Sequence, residues 1–313
     1  MTSQQPTADE APWRAGFACI VGRPNAGKST LTNALVGDKV AITSSKPQTT
    51  RHAIRGIVTR ERTQLVLVDT PGMHKPRTLL GERLNDLVRE TLLEVDVIGF
   101  CLPADQRVGP GDAYIAADLT ELQRARRIPV VAIATKSDTV DRGRLAEHLI
   151  AIDQLGDWSA IVPCSAVRGD QVEDVRRVLA EHLPPSPAAL YPEDVLTDEP
   201  VETMIAELVR EAALEGVRDE LPHSLAVTVE EVLPREGRPE GDPMLDVRVS
   251  VFVERDSQKA IIIGRGGSRL REVGTTARAG IERLLGQQVY LDLHVKVAKD
   301  WQRDPKQLQR LGF

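Results

Sequence analysis

The chain has 313 residues, 41% of them apolar and 27% charged, close to the usual balance for globular chains and enough for two domains with a core in each. A net charge of −6 gives no sign of a nucleic-acid partner, and 3% aromatics disfavours a reader that stacks bases on rows of rings. No stretch approaches the roughly 20 apolar residues of a membrane-spanning helix, and the three cysteines lack metal or redox spacing, so a cytoplasmic setting is expected.

Residues 1–14, with Asp9 and Glu10, read as a flexible N-terminus rather than a secretory signal. From 15 to 183, short apolar runs alternate with helical patterns. Phe17–Val21, Leu65–Val68, Val97–Leu102, Val130–Ala134 and Ile161–Cys164 read as strands buried on both faces, which predicts a doubly wound α/β domain with a mostly parallel sheet. Cys19, Cys101 and Cys164 each lie in an apolar run, as small buried hydrophobes do.

Directly after the first strand stands Gly22-Arg23-Pro24-Asn25-Ala26-Gly27-Lys28-Ser29-Thr30, which fits GxxxxGK[ST] between a strand and a helix. Its glycines let backbone N–H groups close on phosphates, Lys28 reaches the terminal phosphates, and the Ser29 hydroxyl suits Mg²⁺. Asp69-Thr70-Pro71-Gly72-Met73 follows the second of these strands. There Asp69 would hold Mg²⁺ through water, and the Gly72 N–H would meet the γ-phosphate. Thr135-Lys136-Ser137-Asp138 and Ser165-Ala166-Val167 follow two further strands.

These last segments resemble the NKxD and SA elements of GTPases. The resemblance implies that Asp138 accepts from guanine N1 and N2, the Lys136 stem stacks on the base, and the Ala166 N–H meets O6. Thr135 stands where that family usually has Asn. Lys46-Pro47-Gln48-Thr49-Thr50-Arg51 resembles the first switch loop, with Thr50 as the Mg²⁺ and γ-phosphate ligand and Thr49 as the alternative. Met73 replaces the glutamine that orients water in Ras-like GTPases, so slow hydrolysis resting on Lys28, Gly72, Thr50 and Mg²⁺ is expected. Asn25 resembles the asparagine that binds K⁺ in some relatives, and a plain turn-former is the equal alternative.

Residues 184–200 carry five of the 20 prolines and read as a linker. Beyond it a helical pattern through Met204 and Val209 precedes a strand near Leu225–Val232, then alternations through Leu245–Val253 and Val289–Val297. Lys259-Ala260-Ile261-Ile262-Ile263 leads into Gly264-Arg265-Gly266-Gly267 and a helix over Ser268–Leu285, with Asp256 or Ser257 as the cap of the first helix. This helix-GxxG-helix order resembles the KH fold, which would make 201–313 a smaller α+β RNA-binding domain with Lys259, Gly264, Arg265, Gly266, Gly267 and Arg269 at the RNA. Residues 202–257 carry net −8 and 258–313 net +6, so the total conceals a basic face beside GxxG.

One GTPase domain followed by one KH-like domain resembles the Era family of bacterial ribosome-assembly GTPases. The resemblance implies a monomer that binds GTP and GDP, with a KH domain on the small-subunit ribosomal RNA near its 3′ end, assisting maturation of the small ribosomal subunit. It also implies peripheral association with the inner membrane. Two other readings are an RNA chaperone with a structural nucleotide site, and a GTPase whose C-terminal domain docks a protein.

Overall fold

The computed structural model describes residues 12–313 apart from 45, 47, 48, 74, 75, 77, 216, 218–223, 238, 240 and 242. Most of the expected flexible N-terminus, and Pro47 and Gln48 of the expected switch loop, therefore lie outside the described residues. The chain divides into two compact units: one holds the chain up to Val40, Ala53–Thr70 and Arg89–Asp198, the other Ala41–His52, Pro71–Val88 and Glu199–Phe313.

In chain order the elements are β1 (Trp13–Gly22), α1 (Lys28–Val36), β2 (Ile54–Arg60), β3 (Thr63–Asp69), α2 (Leu79–Leu92), β4 (Val97–Pro103), α3 (Pro110–Arg126), β5 (Val130–Thr135), α4 (Arg142–Asp153), β6 (Ala160–Pro163), α5 (Val172–Glu181) and β7 (Pro185–Ser186). After these come α6 (Val201–Leu214), β8 (Ala226–Pro234), β9 (Met244–Val253), α7 (Asp256–Ile263), α8 (Ser268–Leu285), β10 (Gln288–Val297) and α9 (Pro305–Arg310).

The first unit is the expected α/β layer structure. Its sheet runs β2-β3-β1-β4-β5-β6, with β3, β1, β4, β5 and β6 parallel. The five parallel strands are the apolar runs legible in the sequence, and their side chains pack with Leu31, Val175 and Leu179 of the covering helices.

Two features of this unit differ from the sequence reading. The first is β2, an antiparallel edge strand paired with β3. The second is the segment expected as a free linker, which up to Asp198 is a strap on the first unit. β7 pairs with the start of β1, and the Leu196 carbonyl accepts the Ile57 N–H of β2 at 2.8 Å. Gln64 donates to the Tyr191 carbonyl and accepts the Leu190 and Tyr191 N–H groups, while Asp198 pairs with Arg55 at 2.9 Å. Proline keeps the strap out of the ladder proper, and the strap supplies partners to an edge that would otherwise present bare N–H groups.

In the second unit, β10 lies parallel to β9 and β8 antiparallel to it, with a bulge between Val229 and Glu231. Val247, Val249, Val251 and Val253 point inward against Val209 of α6 and Val273, Ala277 and Ile281 of α8. The opposite face carries Arg248, Glu230 and Lys296 at one end and the buried Ser250 and Phe252 at the other, so only part of the alternation seen in the sequence reflects a face open to water. The cap of α7 is Arg255 rather than Asp256 or Ser257, because Gln258 one turn on accepts the Glu254 and Arg255 N–H groups. Among the described residues no helix is long and apolar enough to cross a membrane.

The segment after β10 closes a second cluster: Leu80, Leu84, Ala226, Phe252, Trp301, Leu308 and Leu311. Trp301 is fully buried, donates to the Ser224 carbonyl at 3.0 Å and stacks on Phe313. Replacing it leaves a large cavity and takes a donor from the Ser224 carbonyl. Trp301→Ala is expected to lower the unfolding free energy of this unit by about 3–5 kcal/mol in urea titrations followed by circular dichroism; a loss below about 1 kcal/mol would show that the cluster contributes little.

Candidate nucleotide site and nucleic-acid interface

The loop between β1 and α1 turns tightly around the Lys28 ammonium, making a cup, and its glycines have separate reasons. A Cβ on Gly22 would lie 2.7 Å from the Cys101 carbonyl oxygen of the neighbouring strand. Asn25 and Gly27 take left-handed backbone angles, φ 62° and 88°. The Ala26 N–H donates to the Arg23 carbonyl, and Gly27 caps α1 without a side chain across the helix N-terminus.

Lys28 folds back into the cup, buried, with Nζ donating to the carbonyls of Gly22 at 3.3 Å and Arg23 at 3.1 Å. Burial pulls its ammonium below the ordinary lysine range, against the opposing pull of Asp69. The next residue, Ser29, donates to Asp69 Oδ2 at 2.6 Å, and Asp69 is fully buried at the end of β3. A hydroxyl and a carboxylate in contact beside a phosphate cup are the hard oxygen donors that suit Mg²⁺. Thr70 ties the end of β3 to β1 through the Ile20 carbonyl at 2.8 Å.

The ends of β5 and β6 come to the same edge of the sheet. Thr135 Oγ1 donates to the Ala26 carbonyl at 2.6 Å, so threonine keeps the link to the phosphate loop with a hydroxyl. Lys136, at φ 56°, extends to Asp105 after β4, Nζ to Oδ2 2.9 Å. The Ser137 N–H donates to the Cys164 carbonyl, which sets the 3-10 turn Ser137–Thr139 carrying Asp138 beside the Ser165-Ala166 turn. Ser165 in turn pairs its N–H with Asp170 and accepts the Arg168 N–H, while Val167 is 81% exposed. Gly22 to Thr30, Asp69, Thr70, Thr135 to Asp138 and Ser165 to Val167 thus converge at strand ends of one sheet, the place where open α/β sheets bind ligands. Asp105 was missed in the sequence, where nothing distinguishes it from any acid after a strand.

The remaining expected nucleotide residues, Thr49, Thr50, Pro71, Gly72 and Met73, belong to the second unit. Thr50 and Met73 are buried. The Thr49 carbonyl accepts a hydrogen bond from Arg210, and the Thr43 N–H donates to Glu211 at 2.9 Å. Arg51 is 1% exposed, donates to the Leu225 carbonyl and lies over the Trp301 and Phe313 rings at 5.7 and 5.8 Å. Burial, with Arg210 alongside, draws its guanidinium down to about 9. Burial would push the Glu207 carboxyl up, but Arg210 at 2.8 Å holds it below its ordinary value. His52 stacks on Phe313 at 5.2 Å. This anchorage of residues 41–52 has no sequence signal, because its parts lie some 160 to 260 positions away.

Further along the second unit, Gly264-Arg265-Gly266-Gly267 forms a tight turn leading into α8. At φ 73° a Cβ on Gly264 would lie 2.6 Å from the Arg269 Cβ and 2.8 Å from its backbone nitrogen. Gly266 and Gly267 have φ 58° and 77° and open space where a Cβ would stand. That leaves the backbone bare at the N-terminus of α8, whose first turn has no acidic residue. A groove of about 350 Å³ adjoins it, floored by Leu270, Leu291 and Leu293 and edged by Arg271, Arg278 and Tyr290. Lys259 stands on α7 and Arg265 in the loop, while Arg269 pairs with Glu272 at 3.5 Å. The sequence reading found the loop and missed the groove, since its β10 wall is distant in sequence and Tyr290, 52% exposed, is a single aromatic.

Two family models match the chain. One, described as a 50S ribosome-binding GTPase, covers residues 17–136, and the other, a KH domain, covers residues 220–302. The GTPase Era of Streptomyces coelicolor is 65% identical over 317 residues, covering 100% of this chain and 98% of that protein. The GTPase Era of Mycolicibacterium paratuberculosis is 65% identical over 302 residues, covering 96% and 99%. A crystal structure of Era in complex with MgGDPNP and nucleotides 1506–1542 of 16S ribosomal RNA superposes with a TM-score of 0.90 at 35% identity, covering 96% of this chain and 99% of that one. A point variant of Aquifex aeolicus Era bound to GDP·AlF4⁻ gives 0.89 at 35% identity, with the same coverage.

All three cysteines are buried free thiols, as their apolar surroundings suggested. Burial pushes the Cys101 thiol up to about 12 and Cys164 up to about 11, and Cys19 higher still. Iodoacetamide at pH 8 should therefore label none of them in the native chain and all three after denaturation. Rapid native labelling, read by mass spectrometry, would contradict this burial.

Proposed function

The chain belongs to the Era family of GTPases, and we propose that it works as a slow, Mg²⁺-dependent GTP switch that holds small-subunit ribosomal RNA near its 3′ end. In this reading residues 15–183 form the GTPase domain, 201–313 the KH domain, and the chain assists small-subunit maturation in the cytoplasm. The observation that carries it is the pairing on one chain of a phosphate cup around a buried Lys28 with a bare GxxG turn beside a basic-edged groove.

Each residue has a task in that reading. The phosphate-loop N–H groups and the Lys28 ammonium neutralise the β- and γ-phosphates. Ser29, Asp69 and, in the GTP state, Thr50 would hold Mg²⁺, which spreads the charge that develops on the phosphoryl oxygens. The Gly72 N–H marks the presence of the γ-phosphate. Asp138 accepts from guanine N1 and N2, the Lys136 stem covers the base, and Ala166 donates to O6. Met73 offers a thioether where water would need a hydrogen-bond partner, so hydrolysis rests on positioning and charge and is slow. Asn25 is the residue for K⁺ in this scheme; equal rates in potassium and sodium buffers would remove that element alone.

The RNA reading draws on chemistry and on the solved relative. Phosphates approach Gly266 and Gly267 because no side chain bars them, Arg265 and Lys259 supply charge, and bases lie over the leucine floor. The relative's RNA is a 16S segment, which supports the same RNA class for this chain. Residues 41–52 and 71–88 fold with the unit that carries GxxG, which supports a route from nucleotide state to RNA.

Two measurements test the reading. GTP should bind far more tightly than ATP, and Asp138→Asn should weaken GTP on the order of 10²-fold by removing two charge-assisted hydrogen bonds; equal GTP and ATP affinities would rule out guanine recognition. Arg265→Asp combined with Gly266→Asp should abolish binding of a 16S 3′ fragment at low salt and leave GTP binding intact. Unchanged RNA affinity would favour a protein partner for this domain.

A further inference from the structure

The N-terminus of α3 holds a socket that the nucleotide scheme does not use. Asp112, 1% exposed, accepts from Arg23 Nε at 2.7 Å with one oxygen and from the Gly109 N–H at 2.9 Å with the other. Gly111 stands beside it, and a Cβ there would lie 2.7 Å from the Arg23 Cδ. The arginine stem therefore lies directly on the helix backbone, and a larger residue at 111 would have to displace it. Arg23 is itself part of the phosphate loop, and its carbonyl is one of the two that hold Lys28 Nζ and also accepts the Ala26 N–H.

We propose that Arg23 is a positioning residue and not a phosphate ligand: Asp112 and Gly111 clamp its side chain to α3, and the clamp fixes the carbonyl that aims Lys28. The chemistry favours this over direct phosphate contact. A loop cation committed to a nearly fully buried carboxylate would leave that carboxylate unpaired if it swung to a phosphate, at a cost that breaking a buried pair always carries. The clamp also explains a glycine in the first turn of a 17-residue helix, where propensity would favour alanine. The inference rests on the phosphate-loop role proposed above.

The test uses the full chain with Mg²⁺ and titrates GDP and GTP calorimetrically. Gly111→Ala displaces Arg23 while keeping every charge, and Arg23→Ala removes the clamp. Each should weaken both nucleotides by about tenfold or more, as loss of an outer support does. The Gly111→Ala, Arg23→Ala double variant should be no weaker than either single one. Melting temperature separates positioning from folding: Gly111→Ala should not lower it in step with affinity, since alanine suits the helix. Asp112→Asn distinguishes the two roles for the arginine. If Arg23 is a clamp, affinity falls; if it is a phosphate ligand, releasing it leaves affinity equal or greater, which would overturn the proposal. Lys28→Ala serves as the control. If it abolishes binding while Gly111→Ala binds within about twofold of the parent chain, the clamp is wrong and the phosphate loop stands. If Lys28→Ala binds normally, the phosphate-loop role itself fails.

Discussion

A lysine ammonium buried among main-chain carbonyls is an unfavourable arrangement unless an anion completes it, and the first unit is built around that condition. Lys28 has lost most of its water and faces the carbonyls of Gly22 and Arg23. Around it the loop keeps its cup shape by several independent devices. Gly22 allows close passage of the Cys101 carbonyl, Thr135 grips the Ala26 carbonyl, and Asp112 grips Arg23. On the proposed reading that anion is the polyphosphate of GTP, and the Ser29–Asp69 pair beside it has the hard oxygen donors that would suit Mg²⁺. On the proposed reading, base selection depends on which strand ends lie at the same edge of the sheet, and β5 and β6 bring Asp138 and Ala166 there.

The second unit answers a different problem. Its three-stranded sheet buries one face against α6, α7 and α8. Yet this unit also contains two stretches from the N-terminal half of the chain. Arg51 is sealed between Trp301, Phe313 and the Leu225 carbonyl, and Leu80 and Leu84 of α2 complete the cluster around Trp301. The Leu225 carbonyl and the two ring faces hold the buried guanidinium in one position, so the residues on either side of it, Thr50 and His52, are held as well.

Much of this was legible in the sequence because the chemistry is local there. Gly22 to Ser29, Asp69 to Gly72 and Gly264 to Gly267 carry their residue types in short contiguous runs, although distant partners such as Cys101, Thr135 and Ser29 hold them in place, and the apolar runs of β1, β3, β4, β5 and β6 announce a covered parallel sheet. What escaped the reading depends on distant partners. β2 carries Gly56, an apparent strand breaker, because a Cβ there would meet Val36 at 2.6 Å. The proline-rich segment resembled a linker because its hydrogen bonds go to β2 and β3, more than 120 positions earlier. Asp105, Asp112, Arg51 and Tyr290 look like ordinary surface residues until the fold brings them to Lys136, Arg23, Trp301 and the groove.

If the chain is a switch, the nucleotide held at Lys28 must govern the RNA held at the GxxG turn. The decisive experiment is fluorescence anisotropy of a labelled 16S 3′ fragment, titrated with the full chain saturated by Mg²⁺ and either GDP or a non-hydrolysable GTP analogue. Clearly different RNA affinities in the two nucleotide states are expected; identical affinities would refute the coupling.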